Sequence, residues 1–402
     1  MSCKPRQLNK FISLLSVSLG GALSFGAICA YRGDERFYSK FLMPAIANLV
    51  DPELAHDACI FLTKHKLIKC RDHLAKEEAE KLKTNVFGKL FPNPVGLAAG
   101  FDKNAQAVSG LGQYGFGFVE VGTVTPEPQD GNPKKRIFRN PQDRALINRC
   151  GFNNKGIDHV IKNLSEQESH EPMLVGLNLG KNKTTESLTH DFLLGLEKSK
   201  DLQAVDYLVI NISSPNTPGL RQSQDKENLE RLLDDLLKKI DNLSIEKPLL
   251  VKVAPDLNNA QMQDIAKIVM KKRHGKAKVS GIILTNTTIS RPSGDSISSR
   301  EFYNEQGGLS GQPLREMSSR VIREFYRLTN GQVPIIGVGG VSSGLDAYEK
   351  IKAGASLVQL YTSLTYEGPP VVNKIKRELV ALLERDNIDT ISDAVGLDHR
   401  SK

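Results

Sequence analysis

Lys252 lies in the middle of an apolar run, PLLVKVA at 248–254, where a charge needs a specific reason to be. Seven other runs share that character: NPVGLAAG (93–100), GFVEVGTV (117–124), MLVGLNLG (173–180), YLVINIS (207–213), GIILTNT (281–287), PIIGVGG (334–340) and SLVQLYT (356–362). Nearly all of them end on polar or glycine-rich residues. The first leads into Lys103, the second reaches Thr123, the third Asn178, and the fourth Asn211 followed by SSPNT. The sixth ends on Thr285 and Asn286, the seventh on Gly337, Gly339 and Gly340, and the eighth on Tyr361 and Thr362. Gathered in one place, these groups form a site rich in amide and hydroxyl donors, with two lysines and almost no carboxylate apart from Asp102. That donor set suits a flat heteroaromatic ligand with carbonyl and ring-nitrogen edges, and flavin mononucleotide (FMN) fits. Lys252 has no carboxylate in its own run before Asp256, so it is expected at the flavin's pyrimidine edge, stabilising the anion formed on reduction.

The stretch GVGGVSSG (337–344) supplies what a phosphate needs. Glycine-rich turns let backbone N–H groups approach the oxygens closely, and a following helix adds its positive end. It is not a dinucleotide fingerprint, because no strand–turn–helix unit with an acid some 20 residues later accompanies it.

Holding these residues together is the task of the surrounding elements. Near-continuous apolar strands separated by helical segments, such as 226–243, 259–273 and 314–328, predict a parallel sheet. Eight of them favour a (β/α)8 TIM barrel over an open sheet, with the site at the carboxyl ends of the strands and phosphate after the seventh and eighth. Between the second and third runs, KKRIFRN (134–140) and RALINRC (144–150) read as an inserted β-hairpin.

Ahead of the barrel the chain changes character. Phe11 to Tyr31 carries no charge, and Lys4, Arg6, Lys10 and Arg32 flank it. As a helix it spans about 31 Å, the thickness of a hydrocarbon core. No acid precedes Asp34, which fits a mitochondrial address running into a retained membrane anchor. Two amphipathic helices follow. The first carries Phe37, Phe41, Leu42, Ile46 and Leu49; the second opens on Asp51-Pro52-Glu53 and carries Leu54, Ala58, Phe61, Leu62 and His65. They either pack on the barrel or form an apolar funnel on the bilayer. The expected division is a targeting and anchoring segment at 1–32, a small helical domain at 33–75 and the barrel at 76–402.

Composition narrows the alternatives. The net charge of +8 is spread along the chain without a basic block, which argues against nucleic acid. Five scattered cysteines show neither CxxC nor metal-ligand spacing, so reduced thiols and no metal are expected.

Taken in order, AAGFDKN, GTVTP, INRCGFNN, NLGKNK, NISSPNTPGL, TNTT, GGLSGQPL, GVGGVSSG and LVQLYT resemble the dihydroorotate dehydrogenase family, from DERFY at 34–38 to DHR at 398–400. The anchor, the helical pair and a serine in NISSPNT are similar to its membrane-bound, quinone-using class, whereas the soluble classes place a cysteine at the base position. The resemblance implies Ser214 as catalytic base. It implies flavin contacts from Ala98, Ala99, Gly100, Thr123, Asn178, Asn211, Lys252, Thr285, Gly311, Gly340, Tyr361 and Thr362. Substrate contacts would come from Lys103, Asn148, Arg149, Cys150, Gly151, Phe152, Asn211, Asn216, Asn286 and Thr287. Cys150 stands where compared members carry tyrosine. A quinone tunnel is implied at Met43, Ile46, Ala47, His56, Arg136, Arg139 and Tyr361. The implied activity is oxidation of dihydroorotate to orotate through FMN, with electrons passed to ubiquinone, in pyrimidine biosynthesis. Thr217 is expected to help carry the proton away from Ser214. The implied setting is a monomer held by a single span in the mitochondrial inner membrane, its body facing the intermembrane space. Two other readings compete: a different flavin barrel enzyme, either pyrimidine-reducing or a soluble dehydrogenase coupled to fumarate or NAD, and an anchored module without catalysis.

Overall fold

The eight apolar runs become the eight strands of one closed barrel: β1 (Val95–Leu97), β2 (Phe118–Val124), β3 (Leu174–Leu179), β4 (Tyr207–Asn211), β5 (Leu249–Val253), β6 (Val279–Leu284), β7 (Ile335–Val338) and β8 (Leu357–Leu360). Each pairs in parallel with its sequence neighbours, and β8 closes onto β1. This computed structural model describes residues 5–70, 74–166, 173–217, 219–273, 275–292 and 300–400; Lys4, read above as an anchor flank, lies outside the described residues.

Alternation along a strand decides what faces inward. Phe118, Leu174, Tyr207, Leu250, Ile283, Ile336 and Leu357 fill the amino-terminal half of the barrel as one apolar cluster. A hairpin of Thr84–Val86 and Lys89–Phe91 caps that end, its Phe91 ring 5.3 Å from that of Phe118 in an edge-to-face contact. With the bottom sealed, chemistry is confined to the opposite, carboxyl end.

The outer layer follows helical periodicity. Helix Lys226–Asn242 buries Leu229, Leu232, Leu233, Leu236, Leu237 and Ile240 against the strands and leaves its charged face to solvent. The expected inserted hairpin is present as Ile137–Asn140 and Ala145–Asn148. A third strand, Gly308–Gly311, joins it from far along the chain.

Helix α1 (Pro5–Arg32) contains the apolar segment Asn9–Arg32, with mean hydropathy 1.8 and none of its most apolar window buried by the rest of the chain. By length and composition it can cross a membrane. A π-helical turn, Tyr38–Leu42, leads into α2 (Met43–Leu49) and then α3 (Pro52–Lys64). Asp51 caps α3 by accepting from the N–H groups of Glu53 (2.9 Å) and Leu54 (3.1 Å). The expected apolar faces divide in two. Leu42, Ile46, Ala58 and Leu62 line an internal cavity, whereas Phe41, Leu49, Leu54 and Phe61 are exposed on the outside. The charged stretch at 76–83 is also helical (Lys76–Leu82) and buries Leu82.

Candidate active site

One cavity opens among the carboxyl ends of the strands. Ala98, Ala99, Gly100, Thr123, Asn211, Lys252, Thr285, Gly311, Gly340, Tyr361 and Thr362 line it, and so do Lys103, Asn148, Cys150, Gly151, Phe152, Ser214, Asn216, Asn286 and Thr287. Two expected members are elsewhere. Asn178 is fully buried one layer below, accepting from the Thr123 hydroxyl at 2.6 Å. Arg149 turns away: its guanidinium pairs with Glu305 at 2.5 Å and lies over the Phe138 ring. Its neighbour Cys150 takes the inward position, because successive residues of an extended segment point to opposite sides.

Lys252 is not without a partner. Its ammonium lies 3.1 Å from Glu120 of β2, whose side chain is fully buried. The sequence reading sought a carboxylate within the same strand, whereas the partner lies 132 residues away across the barrel. The site therefore rests on a buried carboxylate that sequence reasoning missed. Its signal was visible, since Glu120 is the one charge in GFVEVGTV and lies at an inward-facing alternation.

Ser214 Oγ accepts from the Asn216 N–H at 3.2 Å, and Asn216 in turn donates to the Asn148 carbonyl, also at 3.2 Å. These bonds tie the serine loop to the inserted hairpin. Among the described residues no hydrogen bond joins Ser214 to Thr217, so the expected hydroxyl route is not formed here. Asp102 accepts from the N–H groups of Gln106 (2.8 Å) and Ala107 (2.7 Å), shaping the turn that presents Lys103. Burial pushes its carboxyl up against those bonds. The Cys150 thiol is likewise raised by burial and thus poorly nucleophilic.

Several polar atoms at the cavity lack protein partners. Thr285 Oγ1, Gln359 Oε1 and Ser363 Oγ are buried without a hydrogen-bond partner among the described residues, and all three residues line the cavity. Gly340 has φ +70°, and a Cβ there would lie 2.6 Å from the Arg315 backbone, so only glycine allows this turn to pass so close. The helix that follows, Gly344–Lys352, offers less than expected. Its first amides are already taken, Gly344 N–H by Glu378 at 2.5 Å and Asp346 N–H by Ser343 at 3.1 Å. The cradle is therefore the loop itself together with the residues after β8.

A second cavity, of about 540 Å³ and mostly apolar, lies between the helical pair and the barrel. Met43, Ile46, His56, Arg139 and Tyr361 line it as expected; Ala47 and Arg136 do not. Arg136 is drawn aside by Glu53 of α3, at 2.6 Å, and donates to the Asp130 and Asn132 carbonyls. Ala47 is half-buried beside Met43 and Ile46 on α2 but does not reach the cavity wall. Tyr38, Cys59 and Phe101 are further lining residues that sequence reasoning missed. Ala27, Ala30 and Tyr31 of α1 complete the wall. His56 meets the Phe101 ring edge-on at 5.2 Å, and burial, reinforced by the Lys103 charge, drives its pKa down to about 3. It is a neutral imidazole throughout the physiological range. Tyr361, Ile137 and Leu146 line both cavities, so a single layer of side chains divides the polar site from the apolar one.

Comparison with known proteins agrees with this geometry. The family model described as dihydroorotate dehydrogenase matches residues 81–383. The chain is 48% identical to a mouse protein named dihydroorotate dehydrogenase (quinone), mitochondrial, over 98% of this chain and 99% of that one. It is 42% identical to the Arabidopsis thaliana protein of the same name, over 96% of this chain and 88% of the other. Among solved structures, a dihydroorotate dehydrogenase from Eimeria tenella in complex with ferulenol superposes with a TM-score of 0.80 at 41% identity, covering 90% of this chain and 99% of that one. With the barrel, its two adjoining cavities and a match across most of its length, the chain belongs to the dihydroorotate dehydrogenase family.

Proposed function

We propose that this chain oxidises dihydroorotate to orotate in pyrimidine biosynthesis, using FMN and passing the electrons to ubiquinone. One observation carries the reading: a polar, glycine-lined cavity and an apolar cavity share the Tyr361 wall. A redox centre in the first is thereby adjacent to a lipid-soluble acceptor in the second.

The residues present suit FMN. The unpartnered Thr285, Gln359 and Ser363 atoms offer it hydrogen bonds, and the Gly339–Gly340 loop that lines the same cavity offers backbone to a phosphate. When bound, FMN supplies a hydride acceptor that later gives up electrons one or two at a time. Lys252 would hold its pyrimidine edge, and Thr362 and Gly311, which line the same cavity, its phosphate end.

The remaining work falls to protein groups. Lys103 and the amides of Asn148, Asn216 and Asn286 hold the anionic substrate and stabilise the negative charge that develops beside its carbonyl. Ser214 Oγ takes the proton alpha to that carbonyl. Serine is a weak base and must give up its own hydroxyl proton to water in the open cavity, a loss that the fixed donor at Asn216 N–H and the Lys103 charge favour. The 3.2 Å bond from Asn216 also orients the serine lone pair. Met43, Ile46, His56 and Arg139 receive the quinone, with His56 acting as a neutral hydrogen-bonding group.

Domain roles follow. Residues 1–32 are a targeting and anchoring segment, 33–75 the quinone vestibule and 76–402 the catalytic barrel. The outward Phe41, Leu49, Leu54 and Phe61 form an apolar surface suited to the bilayer, beside a helix long enough to span it. We place the chain in the mitochondrial inner membrane, anchored by one span with its body toward the intermembrane space. The test is a steady-state assay of the purified full-length chain in detergent. It should contain one FMN per chain and form orotate with a ubiquinone analogue but not with fumarate or NAD⁺; equal turnover with either soluble acceptor would reject the quinone assignment.

A further inference from the structure

The barrel interior contains one group for which the mechanism above has no use. Glu120 lies directly above the apolar floor formed by Phe118 and its neighbours and beneath the cavity, without itself lining it. Burying a carboxylate fully is costly unless every oxygen is satisfied. Here each oxygen is. Oε1 accepts from Asn178 Nδ2 at 2.6 Å and Lys252 Nζ at 3.1 Å, and Oε2 from Gln359 Nε2 at 2.8 Å. Two of those three donors, Lys252 and Gln359, line the cavity.

The third donor starts a chain. A carboxylate only accepts, so Asn178 must turn its NH2 group toward Glu120 and its carbonyl away. That carbonyl takes the Thr123 hydroxyl proton at 2.6 Å, leaving Thr123 Oγ1 to accept from Asn211 Nδ2 at 3.0 Å. The Asn211 carbonyl is thereby turned toward Ser213 and Asn286, whose Oγ and Nδ2 donate to it at 3.0 and 3.3 Å. The donor and acceptor edges of Asn178, Thr123 and Asn211 are thus ordered in sequence from one carboxylate. Asn178 belongs to this relay and not to the cavity wall.

We propose that Glu120 is a positioning residue for the reaction: its charge holds and balances Lys252, and its acceptor-only oxygens fix which edge Thr123, Asn211 and Asn286 present to flavin and substrate. This rests on the flavin reading. The Glu120→Gln variant keeps size and hydrogen bonding but removes the charge and allows the relay to reverse.

The experiment is an anaerobic redox equilibrium of purified holoenzyme against a reference dye, with FMN affinity measured on the same preparations. Removing a negative charge beside Lys252 favours the anionic reduced flavin. The reduced-to-oxidised ratio at a fixed potential should therefore rise about tenfold in E120Q. A ratio within twofold of wild type overturns the proposal. If E120Q does not fold, Asn178→Leu carries the test, because it cuts the relay and leaves the ion pair. FMN should then bind about tenfold more weakly with the ratio unmoved; unchanged FMN affinity overturns the proposal. A wild-type chain that takes up no FMN at all would instead defeat the flavin reading, before either variant is compared.

Discussion

At the scale of single residues, the proposed chemistry rests on Ser214 as base and on a neutral His56. Replacing Ser214 by alanine should lower orotate formation by about 10²–10⁴-fold, the range for a lost general base, while FMN stays bound. Near-normal turnover at neutral pH would remove Ser214 from that role. His56 makes an independent prediction. Its folded pKa, about 3, lies below the ordinary histidine value of 6.5. Below pH 6.5 the unfolded chain binds a proton that the folded chain refuses, so stability falls as pH drops through that window. Wild type should lose stability relative to His56→Gln by on the order of 1 kcal/mol per pH unit between pH 6 and 4, read from denaturant unfolding. Parallel curves would show that the imidazole protonates freely in the fold. Residue types and spacing were enough to single out Lys103, Asn211 and Asn286, because each follows or ends a recognisable strand, whereas Ser214 came only from the family resemblance of NISSPNT. They were not enough to find Glu120 or the true setting of Arg136. Those depend on partners brought close only by barrel closure and by docking of α3.

At the scale of elements, the Arg136–Glu53 pair joins α3 to the loop before the inserted hairpin. That loop also holds the segment after the hairpin: the Asn132 N–H donates to the Cys150 carbonyl at 2.9 Å, and its side-chain amide to the Arg149 carbonyl at 2.8 Å. Burial raises the Glu53 carboxyl, but the hydrogen bond and charge of Arg136 prevail and hold it below its usual range. Its stabilising contribution is present above about pH 4.5 and is lost as the carboxyl protonates. Glu53→Gln should cost about 2–4 kcal/mol, because it leaves a mostly buried guanidinium without its counter-charge, and should raise KM for quinone more than kcat changes. An unchanged unfolding midpoint would show that the bridge does not hold α3. The strands, outer helices and inserted hairpin were legible because their periodicity is local. The third strand of the insert, Gly308–Gly311, was not, because nothing within GGLSGQPL reports a partner some 160 residues away. The divided faces of α2 and α3 were half legible: apolar spacing marks the face but not which residues meet protein and which are left outside.

At the scale of the whole molecule, α1 is more than a tether. Its last turns contribute Ala27, Ala30 and Tyr31 to the apolar cavity, and the Tyr38 hydroxyl donates to the Ala30 carbonyl at 3.1 Å. Deleting residues 1–33 should release the chain from membranes and leave flavin reduction by dihydroorotate intact. It should also raise KM for a quinone analogue several-fold, since part of the cavity wall is gone. Loss of FMN on truncation would show that the anchor supports the barrel itself. The central claim is that two half-reactions occur on opposite sides of the Tyr361 layer, and anaerobic stopped-flow separates them. Dihydroorotate should bleach the flavin of the wild-type chain, and a ubiquinone analogue should restore its colour. In Ser214→Ala the bleaching should slow at least 100-fold, with recolouring at the wild-type rate. Equal slowing of both phases, or bleaching that Ser214→Ala leaves untouched, would contradict the account.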